Sequence, residues 1–189
     1  MKGWGWALVA AGAAAVAFAG RAVVASWQAL ADGCRTGDDA LDRWCGRVAA
    51  ELWTQTLGSA DVTDARACMS IIKNEGGAAA GPLVGDATLG GGPSIGPMQV
   101  YRSTAKALAL WSPPEGATDD QERTVYAALA TDEARCLSMG VAVYLNKLEA
   151  AGGDVADAIR RFNGGGTAAQ AYQARALTFA QDTWGGLSA

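Results

Sequence analysis

Apolar side chains in this chain recur three and four residues apart, and no stretch alternates apolar with polar residues long enough to read as a strand. Leu41, Trp44, Cys45, Val48, Ala49, Leu52 and Trp53 share one helical face over residues 39–57, which makes Trp44 and Trp53 packing residues. A second helix is expected over 64–75, capped near Thr63 and stopped by Gly76-Gly77. A third covers about 103–110 and ends before Trp111-Ser112-Pro113-Pro114. Thr118 and Gln121 form a capping box for 119–130. Leu137, Val141, Tyr144, Leu145 and Leu148 mark a longer helix, Val155, Ala158, Ile159 and Phe162 a short one, and 167–183 the last. Residues 78–97 are too rich in glycine for a helix. The expected fold class is therefore all-α, with six or seven helices, one long Gly-rich loop in the middle and no internal repeat.

A chain of 189 residues suits one domain with an appendage. A body of roughly 150 residues buries about 68–70% of its unfolded surface, enough for a sizeable core. The chain holds no histidine. That excludes Ser-His-Asp and Cys-His nucleophile systems and any zinc site with an imidazole ligand. A net charge of −4, with no Lys/Arg-rich run, argues against a nucleic-acid partner.

The appendage is N-terminal. Gly3 to Gly20 carry no charge, between Lys2 and Arg21, and the apolar character continues to Leu30-Ala31. One reading is a signal peptide, with Lys2 as its basic start and Ala17-Phe18-Ala19 as a small-x-small cleavage site. A second is a membrane anchor of about 20 residues, with Trp4 and Trp6 at the interface, and the bland alternative to both is a buried core helix. Residues 1–31 are accordingly expected as an N-terminal hydrophobic helix, signal peptide or anchor, and 38–189 as the globular domain. Each of the first two readings takes the body to a membrane, and the membrane is expected as a partner through residues 3–31. Four cysteines without a C-x-x-C fit export: they allow two disulfides in any of three pairings, or small buried hydrophobes.

Cys68, Ile71, Ile72 and Glu75 fall at i, i+3, i+4 and i+7, so Glu75 projects from an apolar stripe at a helix C-terminus. Partial burial and the negative end of the helix dipole both disfavour the carboxylate, and a raised pKa is expected. An acid that keeps its proton near neutrality is what glycosidic cleavage requires. The bland alternative is a Glu75 that swings to solvent past Gly76.

Three motifs bear on that choice. They are Ile71-Ile72-Lys73-Asn74-Glu75-Gly76-Gly77, Ser94-Ile95-Gly96-Pro97-Met98-Gln99-Val100 and Ala158-Ile159-Arg160-Arg161-Phe162-Asn163-Gly164-Gly165. In this order they resemble the lytic transglycosylase and goose-type lysozyme family of peptidoglycan-cleaving enzymes: a helix ending in the catalytic Glu, then S-x-G-L-M-Q-[IV], then A-x-x-x-Y-N-A-G. Met139-Gly140-Val141-Ala142-Val143-Tyr144-Leu145 resembles the family's G-x-x-Y-L helix. The resemblance covers roughly residues 40–180. Gly76 stands where the family usually has Ser, Phe162 where it has a Tyr whose hydroxyl serves the catalytic Glu, and Pro97 where it has Leu.

The resemblance implies a lysozyme-like α-rich fold acting on peptidoglycan glycan strands without metal or cofactor. Glu75 is implied as acid and base in cleaving the β-1,4 bond between N-acetylmuramic acid and N-acetylglucosamine, with a 1,6-anhydro product. Ser94, Gly96, Met98, Gln99, Tyr144, Phe162 and Asn163 are implied at the substrate, with Gln99 and Asn163 as amides for acetamido and hydroxyl groups. For both amides, a bond to the loop backbone is the alternative. Gly85-Asp86 resembles the G-D of goose-type lysozymes, so a hydrolase using Glu75 and Asp86 is the second reading. An ordinary turn aspartate is the third. A peptidoglycan-binding component of a virion or secretion apparatus is a further alternative, in the cell envelope, the periplasm or a phage particle. The resemblance also implies a Cys45–Cys136 disulfide, which leaves Cys34 with Cys68.

Overall fold

The computed structural model describes residues 26–77, 79, 81, 83–85 and 92–188. The hydrophobic segment 1–25 and Asp86 lie outside them. Nine α-helices are found among the described residues: α1 Trp27–Gly33, α2 Asp39–Asp42, α3 Cys45–Gln55, α4 Val62–Asn74, α5 Arg102–Ala107, α6 Asp119–Ala128, α7 Glu133–Ala150, α8 Val155–Phe162 and α9 Gly166–Trp184. None of them is long and apolar enough to cross a membrane.

The mostly helical fold agrees with the sequence reading, and its local causes are legible. At α6 the Thr118 hydroxyl accepts from the Gln121 N–H, and the Gln121 side chain returns to the Thr118 N–H at 2.8 Å. At α4 the cap is Asp61, two residues before the expected Thr63. Its carboxylate accepts from the Thr63 and Asp64 N–H groups, and Asp64 closes the box. The helix expected over 39–57 is divided at Arg43-Trp44. Asp42 explains part of this: its carboxylate turns back onto the N–H and hydroxyl of Thr36 and the N–H of Gly37, tying α2 to the preceding loop.

Three two-residue strands form an antiparallel sheet in the order β1 (Val84–Gly85), β2 (Ser94–Ile95), β3 (Val100–Tyr101). Val84 pairs with Ile95, and Ile95 in turn with Val100. Pieces this short carry no alternation that a sequence could display.

The core has two parts. The larger joins α1, α3, α4, α8, α9 and one face of α7 around Leu30, Trp44, Leu52, Met69, Ile72, Tyr144 and Ile159. The smaller lies by the sheet, with Ile95, Val100, Trp111, Tyr126, Cys136, Met139 and Val143. Trp111 meets Tyr126 edge-on at 5.1 Å, and the Tyr126 hydroxyl donates to the Val100 carbonyl. Phe162 packs against both parts. Because Leu30 and Ala31 are buried in the larger core, α1 belongs to the packed body, which extends upstream of residue 38. Arg66 holds this end to the other, donating to the Gly33 carbonyl and to those of Gly186, Leu187 and Ser188.

Candidate active site

Glu75 is the C-cap residue of α4, half-buried, its N–H still bonded to the Ile71 carbonyl at 2.9 Å. The chain then turns sharply. Gly76 takes a left-handed φ of +76°, its N–H donates to the Lys73 carbonyl, and the Gly77 N–H donates to the Ile72 carbonyl. This is a Schellman ending, which needs a residue without a Cβ penalty after the cap. Glycine at position 76 thus has a backbone reason.

Gly77 is the crossing point of two motifs. A Cβ there would stand 2.5 Å from Ile72 Cγ2 and 2.8 Å from the Pro97 carbonyl oxygen. The first and second motifs therefore touch, at a position only glycine can occupy. The Gly77 carbonyl accepts from Trp44 Nε1 at 2.8 Å and from the Arg43 guanidinium, so the turn after Glu75 is held from the α2–α3 junction.

The second motif braces itself. Ser94 is fully buried and donates to Gln99 Oε1 at 2.8 Å, while Gln99 Nε2 donates to the Gly96 carbonyl at 2.8 Å. Gln99 takes a left-handed φ of +46°, uncommon for a residue with a side chain. Gln99 thus makes a backbone bond within the loop. Gly96, at φ +78°, leaves no room for a Cβ against Cys136 on α7.

Two of the residues expected at the substrate are buried. Met98 is fully buried in a notch made by Gly140, where a Cβ would come within 2.7 Å of the Met98 sulfur. Tyr144 is also fully buried, and its hydroxyl donates to the Asp64 carboxylate at 2.8 Å. Both side chains are packed in the core. Phe162 is half-buried, and Asn163 is exposed at the end of α8.

Tyr172 on α9 is the residue that sequence reasoning missed. It is 2% exposed, and its hydroxyl is fully buried without a hydrogen-bond partner of ordinary geometry. Burial pushes the phenol pKa well up, and the Glu75 carboxylate beside it pushes it further. The phenol therefore keeps its proton and stands as a donor beside the acid. The Asn74 side chain fixes this contact by donating to the Tyr172 carbonyl at 3.2 Å. The available signal was a lone phenol on the stripe of Ala169, Tyr172, Ala176 and Ala180.

The cysteines do not meet as the resemblance implied. All four are buried free thiols. Cys45 lies in the larger core and Cys136 in the smaller, where its thiol donates to the Leu129 carbonyl. Cys34 sits against Cys45, and Cys68 is enclosed within the larger core near Asp64.

No protein-family model, no curated protein and no solved structure matches the chain.

Proposed function

We propose that the chain is a peptidoglycan lytic transglycosylase with a lysozyme-like fold. Glu75 protonates the glycosidic oxygen between N-acetylmuramic acid and N-acetylglucosamine. The muramoyl 6-hydroxyl then attacks the anomeric carbon, and Glu75 takes up its proton, so the acid is regenerated and a 1,6-anhydro end is formed. One carboxylate serves both steps because the nucleophile is delivered by the substrate itself. The observation that carries this reading is the convergence at Glu75: its motif ends α4, abuts the second motif through Gly77 and Pro97, and faces a buried phenol on α9.

The roles divide among this chain's residues. Glu75 transfers the proton, Tyr172 orients the carboxylate, and Asn163 is available to a sugar amide or hydroxyl. Gln99 and Ser94 keep the loop in shape. The uncharged N-terminal run supports delivery to the cell envelope, where the murein substrate lies. Digesting purified sacculi with the full-length protein and weighing the products tests the reading: anhydro-ended muropeptides, lighter by one water than reducing ones, are expected. Reducing muropeptides that disappear in Asp86→Asn would assign a hydrolase instead.

A further inference from the structure

We propose that Cys34 and Cys45 form a disulfide that closes the end of α1 onto the start of α3. Their side chains approach each other reciprocally. Cys45 Sγ lies 3.2 Å from the Cys34 carbonyl oxygen, and Cys34 Sγ lies 3.9 Å from that of Cys45. Each sulfur thus lies beside its partner's own backbone, and a side-chain rotation is the movement by which the two sulfurs would meet. Cys68 and Cys136 have different neighbours: the one is enclosed near Asp64 and the other bonds the Leu129 carbonyl.

The segment between the two cysteines is already folded to suit the link. Asp42 binds Thr36 and Gly37, and its Oδ1 stands 3.7 Å from Cys45 Sγ. The crosslink would close a short loop whose native shape exists without it, so stabilisation is expected without distortion. It would also act next to the site. Trp44 adjoins Cys45 and holds the Gly77 carbonyl, two residues after Glu75.

The order of events follows from the surroundings. The Cys34 side chain, burial and the nearby Asp42 charge all push the Cys45 thiol far up, so little thiolate exists once the body has folded. Pairing therefore belongs to the folding chain, with a disulfide oxidant such as oxidised glutathione. One cysteine thiolate attacks the oxidant, releasing one glutathione and leaving a mixed disulfide. The second cysteine thiolate attacks that bond and releases the other glutathione. Two protons leave the cysteines, two electrons pass to the oxidant, and one S–S bond forms.

The test is to refold the reduced full-length chain with reduced and oxidised glutathione, alkylate the remaining thiols, digest with trypsin and identify linked peptides by mass. The expected species joins residues 22–35 to residues 44–47, with Cys68 and Cys136 alkylated. Melting of the linked protein should fall by roughly 5–10 °C on reduction, to the value of the Cys34→Ser/Cys45→Ser double variant. Four alkylated cysteines, or a link that includes residues 67–73 or 136–147, would overturn the proposal.

Discussion

Replacing Tyr172 with phenylalanine removes one buried oxygen and should separate stability from activity. The hydroxyl is enclosed without a partner of ordinary geometry, and an unpaired buried hydroxyl costs roughly 1–3 kcal/mol in folded proteins. The ring keeps its place on α9, so Tyr172→Phe should leave stability unchanged or raise it, with a melting gain of up to about 4 °C per kcal/mol recovered. Activity should move the other way. A hydrogen bond to a charged group contributes about 1.5–3 kcal/mol, and the contact to Glu75 is expected to tighten when substrate closes the site. Its loss corresponds to roughly a ten- to hundredfold lower rate of sacculus solubilisation. Differential scanning fluorimetry and turbidity clearance on the same protein samples supply both numbers. A variant with unchanged clearance would refute the role given to Tyr172. One that melts much lower would refute the expectation that the hydroxyl adds no net stability to the fold.

Gly96→Ala should destabilise the fold by about 2–4 kcal/mol, because φ +78° penalises a side chain and the new methyl would meet Cys136; urea midpoints measure it. Alkaline pH should weaken the fold. Burial raises Cys136 from 9.0 to about 11 and raises Cys68, Tyr126 and Tyr172 as well. Each group keeps in the folded state a proton that the unfolded chain releases. Stability is thus fully present below pH 9 and falls as pH rises, at up to about 1.4 kcal/mol per pH unit for each group. Urea midpoints that stay flat between pH 8 and pH 10.5 would contradict this.

How much of the molecule was legible in its sequence depended on the range of the cause. Thr118 and Gln121, or Gly76 and Gly77, act within one helical turn, and the ends of α6 and α4 fall where they indicate. The break between α2 and α3 was hidden because the apolar spacing continues across it, while the bonds of Asp42 that divide it run backwards to Thr36 and Gly37. Motif likeness named Met98 and Tyr144 as substrate contacts, yet their burial depends on Gly140 and on Asp64, which stands 80 positions away from Tyr144. Cys34 and Cys45 meet through the α1–α3 packing, which no spacing along the chain displays. Tyr172 was missed for the same reason: its neighbour Glu75 lies at the end of another helix, and only folding brings a phenol to an acid.

The central claim is that Glu75 alone transfers the proton in both halves of the reaction. Glu75→Gln keeps the size and the half-buried position of the side chain at the end of α4 and removes its ability to give and take a proton. The direct measurement is the yield of anhydro-muropeptides from purified sacculi, wild type against Glu75→Gln, with folding checked by circular dichroism. The account predicts a loss of at least about a thousandfold with an unchanged helical spectrum. Anhydro products at near-normal yield from Glu75→Gln would contradict it.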